Sequence, residues 1–202
     1  SLAAALAAGG CGSPPGVIFD PADSAHRWPP PPDDARIAYV GELRADEDLK
    51  PGRGFGSSLR DLFLGKDPPR AMVSPIGVCS DGADRIFVAD PGARGVHVFD
   101  LNTRAYALWQ TPKAARQLES PVAVAVDPAG RVLVSDSVVG AIFEFDRTGA
   151  FKQLLAQDAL KRPAGLALQP STGLLLVADA GAHQVVVISP TGSVERRIGE
   201  RG

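Results

Sequence analysis

From Ser74 to the end of the chain, apolar residues come in short runs, and Gly, Pro, Asp or a Thr-Gly pair separates them. Val78 to Ser80, Ile86 to Ala89, Val96 to Phe99 and Tyr106 to Gln110 form one series. Val122 to Val126, Val132 to Ser135, Ile142 to Phe145 and Phe151 to Leu155 form a second. Leu166 to Leu168, Leu174 to Ala178, Val185 to Ile188 and Val194 to Ile198 form a third. Runs this short, broken this often, cannot hold the 3.6-residue period of a helix. They predict strands, four to a series. β-Branched residues crowd the second and third run of each series, as expected where both faces of a sheet are covered.

The three series are copies of one unit. Pro75, Pro121 and Pro163 open them, and Asp90, Asp136 and Asp179 close the second run of each. Pro75 to Pro121 is 46 residues and Pro121 to Pro163 is 42. A four-stranded unit repeating every ~40–45 residues is a propeller blade.

The wording of the unit resembles the NHL repeat. Pro75-Ile76-Gly77-Val78 with Asp81 following, the run closing in Val88-Ala89-Asp90, and Val96-His97-Val98-Phe99-Asp100 carry the pattern. No Gly-His…Trp-Asp pair of the WD40 kind occurs. The resemblance covers Ala71 to Gly202 and implies an all-β chain, a β-propeller of four-stranded NHL-like blades. Three complete blades are visible, and six-bladed relatives imply that they are a fragment of a larger ring. Relatives often carry Asn-x-Arg after the blade Asp. Here those loops read Pro91-Gly92-Ala93-Arg94, Ser137-Val138-Val139-Gly140 and Ala180-Gly181-Ala182-His183. Val40-Gly41-Glu42 matches Ile198-Gly199-Glu200, so Arg36 to Leu43 is expected to be an outer strand lent to a further blade.

The N-terminal part is of another kind. Residues 1–10, SLAAALAAGG, are small, apolar and uncharged, like the end of a secretory signal. Ala8-Gly9-Gly10-Cys11 resembles the bacterial lipobox, which implies a diacylglycerol on the Cys11 thiol and a membrane anchor. Gly12 in place of Asp implies the outer membrane, and the expected location is the bacterial cell envelope. Residues 11–35 read as a tether, because the prolines, Pro29 to Pro32 above all, favour extended polyproline II. Residues 36–202 then form the partial propeller, with 46–70 as an insertion in which Ser57 or Ser58 would cap a short helix through Leu59, Leu62 and Phe63.

Composition narrows the function classes. The hydrophobic share of 45% supports a packed core, and a net charge of -2 gives no footprint for nucleic acid. Two Cys are too few for a disulfide scaffold.

Candidate chemistry is sparse. Asp90, Asp136 and Asp179 form an in-phase carboxylate series that invites a calcium or catalytic ring, yet an Asp just after a strand also sets a turn by accepting backbone N–H bonds. A residue present in each blade serves the blade, so these read as structural turn residues. The resemblance brings in two enzyme relatives, gluconolactonase-type propellers and an amidating lyase, which hold metal at the mouth of the central channel. The first strands should line that channel. They read Gly77-Val78-Cys79, Ala123-Val124-Ala125 and Gly165-Leu166-Ala167, without His or Glu. No metal, cofactor or catalytic residue is therefore expected in these blades, and Cys79 reads as a small buried hydrophobe.

The expected function is a binding or scaffolding module for a protein, glycan or small-molecule ligand, with Arg94, His183, Arg116 and Arg162 as its partner face. The alternative is a propeller hydrolase or lyase whose metal site lies in blades outside this chain. A third possibility is an extracytoplasmic sensor domain. The insertion at 46–70 is a further place for a partner site.

Overall fold

The computed structural model describes residues 17–19, 26–50 and 69–199. Cys11, the expected signal remnant at residues 1–10 and the helix expected after Ser57 lie outside them. The chain divides into two compact units, Ser1–Arg70 and Ala71–Gly202.

Within the first unit, β1 (Arg27–Trp28) pairs antiparallel with β2 (Ile37–Ala38). Arg36 N–H donates to the Trp28 carbonyl at 2.7 Å and Tyr39 N–H to that of His26 at 3.0 Å. Pro29 to Pro32, expected to run extended, instead lie in the reversal between these strands, and proline's fixed φ suits a turn as well as a spacer. Arg36 to Leu43, expected as the outer strand of a blade, supplies β2 to this ribbon. A 3-10 turn at Asp46–Leu49 follows. The Asp48 carboxylate accepts from Arg44 N–H at 2.6 Å and Ala45 N–H at 3.0 Å.

The second unit is three four-stranded antiparallel sheets, each a simple meander. Blade 1 is β3 (Gly77–Ser80), β4 (Arg85–Asp90), β5 (Gly95–Asp100) and β6 (Ala105–Trp109). Blade 2 is β7 (Pro121–Val126), β8 (Val132–Asp136), β9 (Ala141–Phe145) and β10 (Phe151–Leu155). Blade 3 is β11 (Pro163–Gln169), β12 (Leu174–Asp179), β13 (Gln184–Ile188) and β14 (Val194–Ile198). The expected runs all became strands, shifted by a residue or so at their ends, except that β11 begins three residues before the expected Leu166.

Registry repeats between blades. Asp90 faces Gly95, Asp136 faces Ala141 and Asp179 faces Gln184 across the second hairpin. In blade 2, one face of the third strand therefore meets blade 1 and the other meets blade 3. Phe87, Val96, Val98 and Trp109 of blade 1 pack on Phe143 and Phe145 of blade 2. Leu133, Ile142 and Leu155 of blade 2 pack on Leu175, Val177, Val186 and Ile188 of blade 3. The first strands lie side by side, β3 next to β7 and β7 next to β11. A Cβ on Gly77 would come within 2.5 Å of the Val122 carbonyl oxygen, so only glycine allows that approach.

Two latches recur at the end of the blades where the first strand turns into the second. The Arg85 guanidinium is held by Asp81 at 2.8 Å and reaches the Arg147 carbonyl of blade 2 at 2.7 Å. Arg131, held by Asp127 at 2.7 Å, reaches the Pro190 carbonyl of blade 3 at 3.1 Å. In the same turns that supply the latch carbonyls, the last strand residue of one blade lies against a turn glycine of the next. Gly149 (φ +91) lies under the Trp109 indole and Gly192 (φ +94) under Leu155.

Candidate functional site

In a meander, the turn from the second to the third strand emerges at the same end as the connection from the fourth strand to the next blade. These turns and connections together make one end of the three blades, and the buried aspartates organise it. The Asp90 carboxylate accepts N–H bonds from Val73 (2.6 Å) and Ser74 (3.0 Å) ahead of its blade and from Ala93 (3.0 Å) in its own turn. Asp136 accepts from Glu119, Ser120, Val138 and Val139 at 2.7–3.0 Å. Asp179 accepts from Lys161 (2.9 Å) and Arg162 (2.8 Å). Each thus ties the incoming connection to the end of the second strand. Burial works against the charge on Asp90, but the N–H donors of Val73, Ala93 and Ser74 hold its carboxyl below the ordinary value.

This end gathers the four residues singled out for partner contact. Arg94 (φ +49) and His183 (φ +57) occupy left-handed positions in the turns of blades 1 and 3. Arg116 lies on the connection to blade 2 and pairs with Glu119 at 3.0 Å, and Arg162 immediately precedes Pro163 of blade 3. All four are exposed. Lys113 and Lys161 are exposed on the same connections.

The first strands carry the small apolar residues the sequence led us to expect. Cys79 is a half-buried free thiol whose Sγ lies 3.3 Å from the Ser80 carbonyl. Among the described residues, no three His, Cys, Asp or Glu side chains come together in a group able to hold a metal ion.

Sequence reasoning missed one buried network. His97 Nε2 lies 3.1 Å from Asp90 Oδ2 and His97 Nδ1 lies 2.8 Å from the Tyr106 hydroxyl. A carboxylate only accepts, so neutral His97 carries its proton on Nε2 and accepts a hydrogen bond from the Tyr106 hydroxyl at Nδ1. Burial pushes the imidazole below its ordinary value, and the Asp90 charge offsets this only in part. The corresponding residues of blades 2 and 3, Phe143 and Val186, are apolar, and that departure from the repeat was the available signal.

A half-open cleft of about 430 Å³ opens at the same end of blade 3, between the connection that enters it and the turn after Asp179. Asp158, Lys161, Gly181, Gln184 and Arg197 are among its lining residues. Arg197 Nη2 donates to the Ala159 carbonyl at 2.8 Å.

No protein-family model matches the chain, and no curated protein matches it. Solved structures do. A catalytically inactive virginiamycin B lyase from Staphylococcus aureus with quinupristin is similar at a TM-score of 0.53 and 14% identity, over 64% of this chain and 42% of that one. The extracellular domain of a putative one-component system from B. thetaiotaomicron matches at 0.51 and 16%, over 60% of this chain and 18% of that one. A putative gluconolactonase matches at 0.50 and 22%, over 62% and 49%. This chain spans less than half the length of each. At these identities the likeness is one of fold, and the fold is a β-propeller of four-stranded blades.

Proposed function

We propose that the chain is an NHL-type propeller module anchored in the bacterial envelope through Cys11, and that it binds an extracytoplasmic protein or glycan through the loop end carrying Arg94, Arg116, Arg162 and His183. One observation supports this most. Four side chains from four separate turns and connections, 89 positions apart at their extremes, come out exposed at one end of the blades. Exposed polar side chains on loops held by a rigid scaffold are a common way to build a recognition surface. The NHL wording, repeated three times in phase, supports the family reading, and Ala8-Gly9-Gly10-Cys11 supports the anchor.

The reading is tested by immobilising the protein and exposing it to envelope extract. Replacing the four residues together by Ala is expected to abolish capture of whatever the wild type retains, without lowering the melting temperature. Capture that survives intact would overturn the assignment of this face. Anchoring is tested separately. With its leader, the wild type should partition with membranes and take up labelled fatty acid, while Cys11→Ala should do neither. Equal membrane recovery of the two would overturn it.

The second reading is a hydrolase or lyase. It draws on the similar structures named a lyase and a putative gluconolactonase. The first strands of the three blades offer it no His or Glu, so its chemistry would come from elsewhere in a longer protein.

A further inference from the structure

Blade 3 breaks the repeat at the cleft. Gln184 stands where blades 1 and 2 have Gly95 and Ala141, and Arg197 where they have Leu108 and Leu154. A residue found in all three blades holds a blade together; these two are found in one, and both line the cleft. The aspartate is also used differently here. The turn N–H groups of Val138 and Val139 bond Asp136 Oδ1, but their counterparts in blade 3, Gly181 and Ala182, make no bond to the Asp179 carboxylate. Ala182 N–H bonds the Asp179 carbonyl at 3.1 Å, and Gly181 N–H has no partner among the described residues. The Asp179 carboxylate therefore accepts two N–H bonds and keeps acceptor capacity to spare.

The wall of the cleft has both signs of charge in equal number. Lys161 and Arg197 are cations, Asp158 and Asp179 are carboxylates, and the Gln184 amide both donates and accepts. An anion alone would meet two carboxylates, and a cation alone would meet a lysine and an arginine. A ligand with both charges satisfies both pairs. The cleft volume lies in the range of small-molecule sites, and its open side leaves room for a substituent.

We propose that this cleft binds a small zwitterion, the ammonium-and-carboxylate head of a free amino acid. The carboxylate lies toward Lys161, Arg197 and the Gly181 N–H, and the ammonium toward Asp158 and Asp179. This rests on the binding role proposed above and names a ligand for part of the same loop end.

The test is calorimetric titration of the whole chain with L-serine, N-acetyl-L-serine, L-serinamide and a neutral methyl glycoside. Serine is expected to bind, and each blocked form to bind at least about tenfold more weakly, the effect of losing one charge-assisted contact. Arg197→Leu and Gln184→Ala install residues the other blades already use, so both should fold; Arg197→Leu should weaken serine at least about tenfold. Should Arg197→Leu not fold, Lys161→Ala, at an exposed position, gives the same reading. No binding of serine at millimolar concentration, equal binding of either blocked form, preference for the glycoside, or full affinity in the folded variants would each overturn the proposal. Loss of serine binding alongside envelope capture that still needs the four loop residues would end this inference and leave the binding face standing. Serine binding without such capture would do the reverse.

Discussion

The contact between blades 1 and 2 and the contact between blades 2 and 3 share a frame but not a filling. In both, an arginine clasped by an aspartate crosses to a carbonyl of the next blade, and a bulky residue of the fourth strand lies on a turn glycine. Between those fixed points the first contact is aromatic. Phe87 and Trp109 meet edge to face with centroids 5.6 Å apart, Trp109 and Phe145 lie 6.1 Å apart, and Phe151 touches both Phe143 and Phe145 at 5.9 Å. The second has Leu133, Ile142, Leu155, Leu175, Val177, Val186 and Ile188 and no ring. It also buries Glu144, where the first contact has Val98. The difference teaches that blade spacing is set by contacts to the backbone of the hairpin turns, while the space between is filled by whatever apolar set has the right volume.

The largest test of that separation is Trp109→Ala beside Leu155→Ala. The two residues hold the same place on the frame, so only the filling differs. Trp109→Ala should cost about 3–5 kcal/mol, and Leu155→Ala, leaving a smaller cavity, about 2–4 kcal/mol. Denaturant unfolding of both variants measures this. Equal losses would show that the glycine contact, common to both, dominates and that the aromatic cluster adds nothing.

Next in size are the aspartates. Asp136 receives four N–H bonds and Asp179 two. Asp136→Ala should cost about 2–3 kcal/mol and Asp179→Ala about 1–2 kcal/mol, because fewer buried donors lose their acceptor in blade 3. Thermal melts with and without added calcium check both points. A large calcium-dependent rise in melting temperature, lost in Asp136→Ala, would show a metal site in place of a turn.

How far the sequence could be read follows from what each feature depends on. Strand positions were legible because every apolar run is closed by its own breaker, as Asp90-Pro91-Gly92 closes β4. The gathering of Arg94, Arg116, Arg162 and His183 at one end was legible too, since a meander sends alternate connections to the same side. The latches were not, because Arg85 meets a carbonyl 62 residues away and its choice depends on how blades stack. The His97 network was hidden because Asp90, His97 and Tyr106 meet diagonally across three strands, which a linear pattern does not display. The cleft of blade 3 needed the path of residues 156–162, which carry no periodicity. Pro29 to Pro32 misled because proline serves extended chain and turn alike.

His97 separates blade 1 from the others in its response to acid. Its folded imidazole is pushed below the ordinary value, chiefly by burial, so the unfolded chain takes up that proton first as pH falls. The contribution of neutral His97 is complete above about pH 6.5 and fades as pH drops toward the lower folded value. Asp90, also lowered, acts later, its contribution fading only as pH falls below the ordinary carboxylate range. His97→Phe copies Phe143 of blade 2. Urea unfolding between pH 5 and 7 should show a loss of stability in the wild type that is flattened in the variant. Parallel curves would mean that His97 keeps its charge state on unfolding.

The smallest effect expected is at Glu144, a buried carboxylate between blades 2 and 3 where the other blades have Val98 and Val187. Its carboxylate accepts from Gln153 Nε2 at 3.0 Å and lies 3.8 Å from Arg131 Nη1. Arg131 does not depend on it, since Asp127 holds the same guanidinium at 2.7 Å and the Pro190 carbonyl accepts from it. Bringing a carboxylate out of water costs several kcal/mol, and a partner shared with another acid at that distance returns only part of it. Glu144→Val removes the charge and supplies the side chain the repeat already accommodates. The variant should lie between unchanged and about 1 kcal/mol more stable in denaturant unfolding. A loss above about 2 kcal/mol would mean that the Glu144 carboxylate itself fixes the spacing of blades 2 and 3, so that frame and filling are not separable at this contact.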